Sequence, residues 1–74
     1  MTATLTTQHF LLLIPGRDPF RIAAISEGQL ARQISHRDVG GITSRQLAAQ
    51  AWDTASGYEV RSGHVRLRTT TGEQ

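Results

Sequence analysis

The strongest constraint on this chain is a helix start written twice. Ile25-Ser26-Glu27-Gly28-Gln29-Leu30-Ala31 returns as Ile42-Thr43-Ser44-Arg45-Gln46-Leu47-Ala48. In each copy a hydroxyl residue, Ser26 or Thr43, stands where an N-cap can accept a bond from an orphan backbone N–H. Gln29 or Gln46, three residues on, can reach back to the cap's own N–H, and Ile25 with Leu30, or Ile42 with Leu47, can form a hydrophobic staple. The pattern predicts one helix over 27–37 and a second over 44–55. Leu30 and Ile34 would form the buried stripe of the first, and Leu47, Ala48, Ala51, Trp52 and Ala55 that of the second. Trp52 is expected to be the largest contributor to the core. Asp38-Val39-Gly40-Gly41 is read as the stop of helix one and Gly57 as the stop of helix two. The doubling arises from duplication or from convergence on good capping, and convergence is the simpler account.

Strands are predicted on either side of the helices. Residues 8–14 contain a near-continuous apolar run, as in a strand covered on both faces. Pro15-Gly16 predicts a type II turn, because proline fixes φ at its second position and glycine supplies the positive φ at its third. Residues 20–25 resume as a strand, with Phe20, Ile22 and Ala24 on one side and Arg21, Ala23 and Ile25 on the other. Near the C-terminus, Ser62-Gly63 at a two-residue turn places Val60 opposite Val65 and Tyr58 opposite Leu67. One face is then apolar, and the other carries Glu59, Arg61, His64, Arg66 and Arg68. The expected fold is α+β: a small single domain over 8–70, in the order β-β-α-α-β-β, with two helices packed on an antiparallel sheet. Residues 1–7 and 71–74 are expected to be flexible ends, with a loose tail from Thr69.

Composition narrows the chemistry. At 74 residues the chain buries only about 60% of its unfolded surface, so its core is thin. With no cysteine, disulfides, thiolate metal sites and thiol nucleophiles are excluded. Residues 10–14 fall far short of the ~20 needed to span a bilayer, and their flanks do not suit a signal peptide. A soluble, cytoplasmic protein is expected. All 8 basic residues are arginine, which suits a GC-rich genome and, secondarily, bidentate anion contacts. His9, His36 and His64 lack the spacing of a metal site, and no nucleophile elbow, phosphate loop or carboxylate pair is evident. No catalytic residue, metal or cofactor is therefore expected.

Charge is uneven along the chain. Residues 26–56 balance to zero, whereas 57–70 set Arg61, Arg66 and Arg68 against Glu59. This strand face is either a solvated surface, with arginine deterring edge aggregation, or a platform for phosphate or an acidic protein. Two functions follow. In one, a regulator without activity of its own binds a protein, and the 10–14 strand offers apolar surface to that partner or to a second copy in a homodimer. In the other, a winged helix-turn-helix binds nucleic acid, with Arg45, Gln46 and Gln50 on the 44–55 helix reading bases. Arg61, His64, Arg66 and Arg68 of the 58–68 hairpin would then hold phosphates. These seven are the candidate partner- or nucleic-acid-binding residues.

The stretch His9-Phe10-Leu11-Leu12-Leu13-Ile14-Pro15-Gly16-Arg17-Asp18-Pro19-Phe20-Arg21 resembles the opening of small bacteriophage-encoded host-takeover proteins. In size and shape the chain is similar to Xanthomonas-phage inhibitors of host RNA polymerase. The likeness covers this hairpin, with an echo in residues 52–60, and carries over no functional residue. It implies a host-takeover protein that binds the polymerase and modulates or inhibits transcription in the host cytoplasm. The protein-binding function is the favoured expectation, with DNA binding as the alternative.

Overall fold

A computed structural model describes residues 7–70. The chain runs β1 (Gln8–Leu13), β2 (Phe20–Ala24), α1 (Glu27–Ser35), α2 (Gly41–Ala51), β3 (Glu59–Ser62) and β4 (Val65–Thr70). This is the expected α+β order. The four strands form one antiparallel sheet in the order β2-β1-β4-β3. Its centre is the pairing of the first strand with the last. Both helices pack on one face, α1 against β2 and α2 against β3 and β4. Phe10 and Leu12 of β1, Ile22 and Ala24 of β2, and Val60 and Leu67 of the second hairpin point into that layer. They meet Leu30 and Ile34 of α1 and Leu47, Ala48 and Ala51 of α2. The small alanines let α2 lie close to the sheet.

Only the first helix start carries its predicted N-cap, and even there Ile25, the expected staple residue, is exposed. The Ser26 hydroxyl accepts a bond from the Gln29 N–H at 3.1 Å. The Gln29 side chain reaches past the cap to accept the Ile25 N–H at 2.9 Å, rather than that of Ser26. The second copy does not cap a helix. Gly40 is the N-cap, with no side-chain cap bond, and α2 starts at Gly41. Thr43 therefore lies inside the first turn, and Ile42, instead of stapling, stays 68% exposed. Ser44 has turned inward, where its buried hydroxyl donates to the Val39 carbonyl. That bond ties the helix to the connector and outcompetes a surface cap. A matched pair of variants reports the asymmetry: Ser26→Ala is expected to cost about 1 kcal/mol, and Thr43→Ala within about 0.5 kcal/mol of nothing. Urea denaturation midpoints read both values, and equal losses would contradict the assignment.

The helix ends differ from expectation for a related reason. Helix α1 stops at Ser35 with His36 as its C-cap, and Asp38 turns the chain at a φ of 66°. Gly40-Gly41 consequently opens α2 instead of closing α1. Helix α2 ends at Ala51 with Trp52 as its C-cap, and Asp53, also at a φ of 66°, reverses direction. Aspartate tolerates the left-handed region because its short side chain can bond locally. Ala55 is thus outside the helix and exposed. Trp52 is only partly buried and stacks on the fully buried Phe10 at 6.2 Å, so Phe10 and the leucines dominate the core.

Both hairpins are present. The Ile14–Arg17 turn is type II as predicted: Gly16 has a φ of 80°, and the Arg17 N–H donates to the Ile14 carbonyl at 3.1 Å. In the second hairpin Val60 pairs with Leu67 and Ser62 with Val65, so the turn is Gly63-His64 and not Ser62-Gly63. The partner of every β3 residue moves by two positions, and a shift of two preserves the side-chain alternation. The segregation of faces therefore could not choose between these registers. The backbone chose: Gly63, at a φ of 64°, takes the first central position, as a Gly-X hairpin loop of type II′ requires. Tyr58 lies just outside β3 and is 56% exposed instead of joining the apolar face. Thr69, expected in a loose tail, is instead buried in β4 and shares a hydroxyl bond with Thr54 at 2.8 Å. The expected flexible ends lie outside the described residues, apart from Thr7. No helix among the described residues is long and apolar enough to cross a membrane.

Candidate functional site

Among the described residues, the helices cover one face of the sheet and no element covers the other. Strand alternation sends the odd-numbered residues of β1 and β2 and the even-numbered residues of β4 to this outer face. The register then sets them in rows. Arg21, Leu11, Arg68 and Glu59 lie side by side across all four strands. In the next row Leu13 neighbours Arg66, which neighbours Arg61. On the other side His9 lies between Ala23 and Thr70. The face thus has a half-buried apolar centre, Leu11 and Leu13, bordered by four guanidinium groups and one carboxylate. The 10–14 strand was expected to be covered on both sides. On the outer side the β1 leucines have arginines as register neighbours, a residue type whose methylenes can lie on apolar surface.

Glu59 organises the border. Arg68 Nη2 approaches its Oε1 at 3.0 Å and Arg66 Nη1 its Oε2 at 3.4 Å. The hydrogen bond from Arg68, and then the charges of Arg66 and Arg68, hold the Glu59 carboxyl below its ordinary value against the opposing effect of burial. With a lowered folded-state pKa, these pairs stand at neutral pH and are lost only as the pH falls through that lowered value. Arg66 and Arg68 are therefore not free cations, but one carboxylate cannot neutralise both. Arg61 forms no ion pair among the described residues and sits directly opposite Arg66. Like charges in that position destabilise a sheet.

The seven sequence-predicted site residues do not form one surface. Arg61, Arg66 and Arg68 share the outer face, and His64 occupies the turn at its end. Arg45, Gln46 and Gln50 are exposed on α2, on the far side of the sheet. Gln46 marks the separation, because its Oε1 accepts the Ser62 hydroxyl from the inner side of β3 at 2.9 Å. A flat ligand cannot touch both groups. Sequence reasoning offered the 10–14 strand as apolar docking surface without separating Leu11 and Leu13 from the core residues beside them, and it did not select Arg21. Alternation had put Arg21 opposite Phe20, but only the pairing of β1 with β4 brings it into line with Arg68.

A second cluster stands at the corner between the β1–β2 loop and the α1–α2 connector. The Arg37 guanidinium carbon lies 4.4 Å from the Phe20 ring centroid and that of Arg17 5.6 Å from it. Arg17 also contacts Asp38 at 3.6 Å. Such exposed contacts contribute little each, but together they hold the loop against the connector. Among the described residues no three His, Asp or Glu side chains gather as a metal site would require. No family model, curated protein or solved structure matches this chain.

Proposed function

We propose that this protein is a regulator that acts by binding, and that the outer face of the sheet docks on an acidic protein surface. The observation that carries this reading is the like-charged pair Arg61 and Arg66, set opposite each other beside an apolar centre. Such a pair costs stability in the free protein, and an anionic partner would relieve that cost. An apolar centre with an arginine-rich rim is also the usual anatomy of a protein interface. The excess positive charge on the face argues against pairing with a second copy of itself.

The partner we propose is the host transcription apparatus, an RNA polymerase-type protein met in the cytoplasm, where binding modulates or inhibits transcription. That identity rests on the resemblance of residues 9–21 to phage host-takeover proteins, and the docking face rests on the sheet. Duplex DNA is the weaker candidate. Its base-reading residues on α2 and its phosphate-holding arginines would lie on opposite sides of the sheet. Purified host polymerase and duplex DNA, offered separately to the immobilised chain at low and moderate salt, test the reading. Saturable polymerase binding without DNA binding is expected. Salt-sensitive DNA binding with no response to polymerase would reverse the assignment.

A further inference from the structure

An open cleft of about 390 Å³ lies at the end of the sheet, where the β1–β2 loop meets the β3–β4 turn. Its walls include Leu13, Ile14, Arg17, Pro19, His64 and Arg66, with no carboxylate among the described lining residues. The type II turn at Pro15-Gly16 builds one side, and the Gly63-His64 turn presents the imidazole on the other. Leu13 and Arg66 belong to both the cleft and the outer face, so the two surfaces are continuous.

We infer that this cleft receives a glutamate or aspartate side chain from an extended segment of the acidic protein partner. The carboxylate lies between Arg17 and Arg66, and an apolar neighbour in the segment packs on Leu13, Ile14 and Pro19. This inference rests on the proposed docking of an acidic protein. Both guanidinium groups already touch carboxylates, but loosely. Arg66 meets Glu59 at 3.4 Å and Arg17 meets the largely exposed Asp38 at 3.6 Å. Each group has five N–H donors, so each can take a second acid without breaking a strong bond. The apolar walls differ from the cradle of backbone N–H groups typical of phosphate sites, which favours a peptide carboxylate. A second copy would bring its own positive face to the cleft and be repelled.

The test is an amide NMR titration of the full chain with a blocked peptide of alternating glutamate and leucine. A glutamine-for-glutamate peptide and inorganic phosphate serve as the other two probes. Saturable shifts are expected at the amides of Gly16, Arg17, His64 and Arg66. They should be absent with the glutamine peptide, and affinity should fall by at least about tenfold in R17Q, of the order of one lost charge-assisted bond, and by less in H64Q, which alters only the opposite wall. Both positions are exposed, and retained spectral dispersion checks that each variant folds. No saturable shift at these amides overturns the inference, as do equal shifts from the glutamine peptide or from phosphate alone. Arg17 lies off the outer face, which separates the two claims. Shifts confined to Arg21, Arg61 and Arg68 and unchanged in R17Q reject the cleft and keep the outer face. No response on either surface rejects both.

Discussion

Replacing Phe10 with alanine is expected to destabilise the domain by about 3–5 kcal/mol, the range for deleting a buried aromatic ring. Phe10 lies on β1, a central strand, is 1% exposed, and supports the stacked Trp52. Its removal therefore opens a cavity beneath Trp52, a large side chain at the rim of the core. A small domain has a total stability of only about 5–15 kcal/mol, so the variant should lose much of its cooperative unfolding transition. Each kcal/mol lowers the midpoint of a domain this size by about 4–8 °C, and thermal denaturation followed by circular dichroism would show the drop. Trp52→Ala should cost less, because that side chain is only partly buried. A Phe10→Ala loss below about 1 kcal/mol would mean that the core can close over the gap, contrary to the packing described.

The second large effect is on binding. Changing Arg61, Arg66 and Arg68 together to alanine is expected to weaken association with the acidic partner by at least about tenfold, or 1.4 kcal/mol. Most of the loss should appear as a slower association rate that no longer depends on salt, since surface charge mainly steers encounter. The fold should survive. The three side chains are exposed, such substitutions seldom cost more than about 0.5 kcal/mol each, and removing Arg61 and Arg66 also removes their mutual repulsion. The control is the matching triple change of Arg45, Gln46 and Gln50 on α2, which should leave binding unaltered. If the α2 triple abolishes binding and the arginine triple does not, the helix layer is the docking surface and the outer face is only solvated.

Local chemistry made parts of this structure legible. Ser26 with Gln29 marks a helix start because a hydroxyl and an amide at that spacing satisfy orphan N–H groups wherever they occur. Pro15-Gly16 marks a turn because the two residues restrict and extend φ in the order a type II turn needs. The same reasoning failed at Thr43, where the local signal was equally good. There, burial of Ser44 against the Val39 carbonyl moved the helix start back to Gly41. It also missed by two residues at the second hairpin, because alternation has a period of two and is blind to shifts of that size.

The candidate site shows the same division. The sequence by itself determined the element order, the apolar face of β2 and of the last hairpin, and the concentration of arginine in that hairpin, because these depend on the spacing of neighbouring residues. Only the tertiary structure decided that β1 pairs with β4, bringing Leu11 and Leu13 between Arg21 and the hairpin arginines. It alone placed Arg45, Gln46 and Gln50 on the opposite side and opened the cleft between Arg17 and Arg66. Those arrangements depend on contacts between residues far apart in the chain, and no local pattern records which distant strands will meet.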